Sequence, residues 1–267
     1  TSATYWSSVG PCLRMPVIIV FFLAMPASLS SPAVSERPIH IHPTTELADR
    51  ALLPGDPGRA LALAQHLLTD PLMFNHHRGL WGYTGTAADG RPLTIQSTGM
   101  GGPSAAIVLE ELADLGLRTA VRVGTCGALV PGFGHGDLIV VEAALPEDGT
   151  SRALGERGPV PADAGVRDAL TAAASPGDRT GLVVTTDLFY DPDGDRPEGW
   201  VRDGALAVEM EAAALLAVAR RRGLRGACLL AVTDLLDGPD RRRIADDELA
   251  DAGHRLGDVA AAALAAL

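Results

Sequence analysis

The stretch Leu53-Pro54-Gly55-Asp56-Pro57-Gly58-Arg59-Ala60 joins a short apolar strand to a glycine-punctuated turn and a single arginine at the start of a helix. Glycine lets backbone amides approach an anion closely, Pro57 stiffens the turn, and Arg59 adds a planar fork of donors at the positive end of the helix. The stretch has two readings, an ordinary strand-turn-helix junction or one wall of a phosphate site. Neighbouring elements must separate them.

Downstream, Gly79 to Thr86 and Pro92 to Thr98 flank the turn residues Ala88-Asp89-Gly90 and predict a β-hairpin. Ser104 to Leu115 follows with apolar residues at helical spacing. Strands are predicted over Thr119 to Val123, Leu138 to Glu142, Leu182 to Thr186 and Ala227 to Val232. Helices are predicted over Ala162 to Ala174, Met210 to Arg222 and from Asp246 onward. Such alternation predicts an α/β fold of a single domain, a mostly parallel, twisted mixed sheet with helices on both faces. Ligands in such folds sit outside the carboxyl ends of strands, and each glycine-rich or charged motif falls at or just after a predicted strand end. Pro146 to Pro161, rich in Gly, Pro and charge, is expected to be a mobile surface loop.

Composition narrows the chemistry. The chain has 267 residues, 47% of them hydrophobic, enough for one sizeable core. Thirty-three acidic against 22 basic residues leave a net charge of −11, which argues against nucleic acid or an anionic membrane as the main partner. Every basic residue is arginine, so a Walker-type lysine, a Schiff-base lysine and a lysine base are all excluded. Cys12, Cys126 and Cys228 lie far apart without metal-site spacing, so neither a disulfide framework nor a metal centre is expected.

Residues 1–35 stand apart from the fold argument. Arg14 precedes the apolar run Val17 to Met25 and then Pro26-Ala27-Ser28, which reads either as a weak signal peptide or as an extension ahead of a start at Met15, Met25 or later. The extension is the favoured reading, with 36–267 as the folded domain and the cytoplasm as the expected location.

Four further motifs carry candidate chemistry. Ser97-Thr98-Gly99-Met100-Gly101-Gly102-Pro103-Ser104 is either a tight turn or a second anion or sugar cradle. In Arg122-Val123-Gly124-Thr125-Cys126-Gly127, a buried-strand arginine must meet a carboxylate or an anionic ligand. Thr125 can donate to the same anion, Gly127 leaves room for a flat ring, and Cys126 is expected to pack rather than react. In Ala207-Val208-Glu209-Met210-Glu211-Ala212, the two acids can accept from sugar hydroxyls, or simply favour a helix start. Asp234, ending the last apolar strand, can exchange a proton with a heterocycle or cap a turn.

Together with His77-Arg78-Gly79 and Asp187-Leu188-Phe189-Tyr190-x-Pro192-Asp193-Gly194, these motifs resemble the nucleoside phosphorylases, the family of hexameric purine nucleoside phosphorylases and uridine phosphorylases. The resemblance runs from about His40 to Leu267. It implies cleavage of a β-nucleoside by phosphate, giving free base and ribose 1-phosphate. Gly55, Arg59, Arg122 and Thr125 would bind phosphate, with Arg78 from a neighbouring subunit. Glu209, Met210 and Glu211 would hold the ribose with Met100, and the neighbour's His40 would meet its 5′-hydroxyl. Cys126, Gly127, Phe189 and Val208 would line the base pocket. The implied partners are a nucleoside, phosphate as cosubstrate and further copies of the chain in a homo-oligomer, with no metal or organic cofactor.

The chemistry suits that assignment, since bond cleavage builds positive charge on the sugar beside phosphate and negative charge on a base that Asp234 can protonate. A pyrimidine enzyme of this family would carry Gln and Arg soon after the Phe-Tyr pair, where this chain has Asp193 and Asp195, so purines are favoured and uridine is the alternative, with Arg196 available in a shifted loop. The arginine that assists the catalytic aspartate in purine enzymes has no counterpart near Asp247 to Leu249. Arg243 is the expected substitute, with Arg241 and Arg242 behind it. A hydrolytic nucleosidase and a non-catalytic nucleoside-binding protein are the remaining alternatives.

Overall fold

The first strand of the computed structural model, β1 (Arg50–Leu53), is buried along its whole length and delivers the chain to the Pro54-Gly55 turn. The structure describes residues 38–192, 196–238 and 241–267, and all of these belong to one compact unit. The leader reading for residues 1–35 lies outside them. Helix α1 (Pro57–Leu67) follows, with Pro57 in its first turn and the Asp56 carboxylate accepting from the Arg59 amide at 2.6 Å, an N-cap.

Next come β2 (Thr69–Asn75), a 3₁₀ turn (His77–Gly79), and β3 (Gly82–Thr86) paired antiparallel with β4 (Pro92–Gln96), the expected hairpin. Its turn is tied down by Arg50, a buried arginine whose two Nη atoms each lie 2.7 Å from an Asp89 carboxylate oxygen. Beyond α2 (Gly102–Asp114) lie β5 (Thr119–Ala128), β6 (Leu138–Glu147), α3 (Gly149–Ala153), β7 (Val160–Pro161), α4 (Ala164–Ala173) and β8 (Arg179–Thr186). The chain finishes through α5 (Arg196–Arg202), β9 (Ala205–Glu209), α6 (Ala212–Arg222), β10 (Arg225–Leu235), β11 (Arg242–Arg243) and α7 (Asp246–Ala265).

Among the described residues β5 pairs with β10 along its whole length, while its other edge serves β1 first and then β9. Because β10 also pairs with β6, β6 with β8, and β8 with β9, those five strands close on themselves, and β1, β4, β3 and β2 extend from the ring as an open flank. The long ladders are parallel, as expected. Short antiparallel joints, β10 with β6 and β5 with β9, complete the closure.

The core follows from composition. Every residue of β10 after Arg225 is buried, as is usual for strands covered on both faces. Helix α6 is buried continuously from Ala212 to Ala219, which its alanine-rich sequence permits. Helices α1 and α4 pack on α7, and α2 and α3 on α6.

Two local expectations change. The strand predicted to end at Val123 continues to Ala128, because Gly127 and Ala128 keep partners in both β9 and β10. Arg122 therefore sits mid-strand rather than at a strand end. The segment Pro146 to Pro161 is not a free surface loop: Asp148 and Ser151 are fully buried, and Asp148 caps α3 by accepting from the Ser151 amide at 2.8 Å.

Candidate active site

Five strands end, and β5 passes, at a cavity of ≈ 410 Å³ lined from the β1–α1 turn to Arg241. Arg122 crosses its floor. Only 4% exposed, it donates through Nε to Glu209 Oε2 at 3.0 Å and through Nη2 to Glu211 Oε2, while its Nη1 is buried without a partner. Burial alone would discourage its charge, but Glu211 and Glu209 outweigh that and hold the guanidinium above its usual range. A Cβ at Gly124 would lie 2.7 Å from Arg122 Nη2, so the residue two along must be glycine for the guanidinium to lie where it does.

Arg59 lines the same cavity, and its guanidinium has no hydrogen-bond partner among the described residues. Burial and then the like charge of Arg122 lower its pKa, against smaller opposing effects of Asp56 and Glu211. The two arginines thus form a donor-rich floor in which Arg122 is paired with two carboxylates and Arg59 is not. The 98–99 segment is zipped to the β1–α1 turn above it, with Thr98 N donating to Pro54 O at 2.8 Å and Gly99 N to Gly55 O at 3.0 Å.

Glu211 joins two walls of the cavity. Its Oε1 accepts from the Gly101 amide at 2.6 Å and its Oε2 from Arg122. At the far end, Asp234 is 5% exposed, with Oδ1 2.8 Å from Arg241 Nε and Oδ2 3.0 Å from Thr233 Oγ1. Phe189 stands beside it with the Arg241 Cζ 4.3 Å from its ring centroid, and Tyr190 meets Phe189 edge-on. Cys126 gives its Sγ–H to Ala231 O, and burial followed by the nearby Glu209 charge pushes the thiol well up, so it packs rather than reacts.

A family model described as the phosphorylase superfamily matches residues 49–267. The chain belongs to that family. It is 38% identical over 204 residues to a guanosine phosphorylase of Halorubrum lacusprofundi, covering 74% of this chain and 84% of the relative. It is 40% identical over 206 residues to a DeoD-type purine nucleoside phosphorylase of Geobacillus kaustophilus, covering 73% and 85%. Among solved structures, a uridine phosphorylase from Vibrio fischeri complexed with 6-hydroxy-1-naphthoic acid superposes with a TM-score of 0.73 at 27% identity, over 83% of this chain and 93% of that one.

Within this phosphorylase-superfamily fold, the cavity gathers Gly55, Arg59, Met100, Arg122, Thr125, Cys126, Gly127, Phe189, Val208, Glu209, Met210, Glu211 and Asp234 from segments far apart in sequence. His40, Arg78 and Arg243 are not on its wall. His40 is held elsewhere, its Nδ1 2.7 Å from Glu111 Oε1. Arg78 is exposed, on a backbone with φ of 57°.

Three expectations are corrected by this geometry. Glu209, expected on the ribose, is saturated by the protein: its oxygens take Arg122 Nε, Thr185 Oγ1 at 2.6 Å and the amides of Glu211 and Ala212 at 2.9 Å. It aims Arg122 and anchors the start of α6. The arginine nearest Asp234 is Arg241, whereas Arg243, the expected partner, is 3.5 Å away as the cross-strand neighbour in β11. The space left by Gly127 is filled by Leu236, whose Cδ1 would lie 2.6 Å from a Cβ there.

Thr185 and Thr233 were not singled out by sequence reasoning. Their adjacency to strand-end motifs is a signal too common to act on. Asp193 and Asp195 lie outside the described residues, and Arg196 pairs with Asp191 at 3.5 Å.

Proposed function

We propose that this chain cleaves the N-glycosidic bond of purine nucleosides with inorganic phosphate, releasing the free base and ribose 1-phosphate. The observation that carries the reading is the pair Arg59 and Arg122 on the cavity floor, one guanidinium unpaired and the other with a buried Nη1 lacking a partner. An unmet buried donor costs about 1–3 kcal/mol, and the two like charges add their repulsion. A phosphate dianion offsets both, while water offsets only the first. That difference favours phosphorolysis over hydrolysis.

In the reaction the C1′–N bond breaks with its electron pair leaving on the base, and a phosphate oxygen bonds to C1′. Positive charge on the sugar develops between the phosphate and Glu211, whose remaining lone pairs face the ribose hydroxyls. Negative charge developing on the base is relieved by a proton from Asp234, whose resulting carboxylate Arg241 then stabilises, so the pair favours the transition state over the ground state. The reading calls for no resident metal or organic cofactor.

The purine assignment is supported by relatives named purine nucleoside phosphorylase and guanosine phosphorylase, and by the absence of a Gln and Arg soon after Phe189-Tyr190 in the sequence. It keeps His40 and Arg78 for the cavity of a neighbouring copy, consistent with their position off the wall of their own. A panel of purine and pyrimidine nucleosides, assayed with and without phosphate for base release, tests the proposal. Release that requires phosphate is expected; release indifferent to phosphate makes the protein a hydrolase, and binding without release a nucleoside-binding protein.

A further inference from the structure

Helix α6 is capped by residues other than the one at its N-cap. Glu211 holds that position, yet its side chain makes no capping hydrogen bond and turns instead to Arg122 and the Gly101 amide. The amides left open at the helix start are met from elsewhere. Ala212 N donates to Glu209 and Ala213 N to Thr185 Oγ1, at 2.9 Å each. Thr185 is fully buried near the end of β8, opposite Glu209 in the parallel β8–β9 ladder, and is not on the cavity wall. Because the Ala213 amide is a donor, the Thr185 hydroxyl accepts there and gives its one hydrogen to Glu209 Oε1, 2.6 Å away. A one-way chain of hydrogen bonds thus runs from the start of α6 through Thr185 to the carboxylate that holds Arg122.

We propose that Thr185 is a positioning residue for phosphorolysis: its hydroxyl caps α6 in place of Glu211 and fixes the Glu209 carboxylate that aims Arg122 at phosphate. The proposal rests on the phosphorolysis reading above. Open amides at a helix start draw the nearest side-chain acceptor. With Ala213 served by Thr185 and Ala212 by Glu209, the Glu211 carboxylate stays on the cavity wall. Arg122 depends on the same hydroxyl at one remove. Glu209 holds its Nε at 3.0 Å, and its Nη1 lies against the Gly55 turn, where a Cβ would be 3.9 Å away. Without the Thr185 hydroxyl, the Ala213 amide is left open and the Glu209 carboxylate rotates toward it, taking the guanidinium along. Hydrogen bonds are short and directional, so a small rotation carries the arginine away from the phosphate position.

The test compares Thr185→Val, which keeps the shape and loses the hydroxyl, with Thr185→Ser, which keeps the hydroxyl. Steady-state inosine phosphorolysis gives kcat and the phosphate KM, and calorimetry gives the Kd of inorganic phosphate and the Tm. Thr185→Val is expected to raise phosphate KM and Kd by roughly tenfold, the scale of one hydrogen bond to a charged group, with kcat changed by less than about threefold. Thr185→Ser is expected to keep both constants within about twofold of native, since it has the same donor and acceptor. A merely structural role predicts a lower Tm with unchanged constants in Thr185→Val. That result overturns the proposal, as does equal weakening in Thr185→Ser. If Thr185→Val does not fold, Thr185→Cys, with its weaker donor, decides: a weakened phosphate Kd supports the proposal and a native one overturns it. If the native protein cleaves no nucleoside, the phosphorolysis reading fails, and the phosphate Kd values alone decide the role of Thr185. A native protein that binds no phosphate refutes both.

Discussion

Arg122 Nε lies 3.0 Å from Glu209 Oε2, and both side chains are buried beneath the cavity. Glu209 also accepts from the Glu211 and Ala212 amides, so one carboxylate aims the arginine and anchors the start of α6. Glu209→Gln is expected to cost on the order of 3 kcal/mol, as for other buried pairs broken on one side. Thermal unfolding should show Tm falling by several degrees, and phosphate KM should rise as Arg122 loses its aim. A variant with native Tm would show that Glu209 is dispensable to the fold.

Arg59 behaves oppositely. Burial and the charge of Arg122 lower its pKa, so its charged form is penalised in the empty protein. Arg59→Gln should leave the Tm of the phosphate-free protein unchanged or slightly higher, while abolishing most of the Tm gain on adding phosphate. Calorimetry at zero and saturating phosphate reads both effects, and a large loss of Tm without phosphate contradicts the account.

Asp234 shares its oxygens between Arg241, Arg243 and Thr233. Asp234→Asn is expected to reduce inosine phosphorolysis by about a hundredfold or more, the scale of a general acid, and to leave phosphate binding within a few-fold of native. Equal residual turnover would remove Asp234 from the chemistry.

Acid stability has an identified contributor away from the cavity. The hydrogen bond from buried Arg50 holds the Asp89 carboxyl at about 2, below its ordinary 3.8. For a depressed carboxylate the stabilisation is fully present above the unfolded value and is lost as pH falls from about 4 toward 2. Asp89→Asn should flatten that part of the stability curve. Urea midpoints at pH 5, 4, 3 and 2 measure it, and identical slopes in both proteins would refute the assignment.

Much of the fold was legible because it is written in local periodicity. The Gly79 to Thr98 hairpin, the helix after the Gly99-Met100-Gly101 turn and the alanine-rich α6 formed where pattern and turn chemistry put them. Strand ends were less legible. The continuation of β5 to Ala128 depends on partners in β9 and β10, about 80 and about 107 residues away, which no local window contains.

Residue type and order by themselves determined an α/β chain without lysine whose arginines must handle any anion. The family resemblance those motifs carry implied that Gly55 to Arg59, Arg122 to Gly127 and Glu209 to Glu211 belong to one site, and one cavity gathers them. Tertiary structure alone decided how those groups share their hydrogen bonds. Glu209 is spent on Arg122 and two amides, Arg122 keeps one free arm, and Arg241 rather than Arg243 lies closest to Asp234. The physical reason is that a carboxylate has few accepting positions and hydrogen bonds are short and directional. Which donors occupy those positions depends on ångström-scale placements set by the closure of five strands around β5, and sequence spacing does not encode such distances.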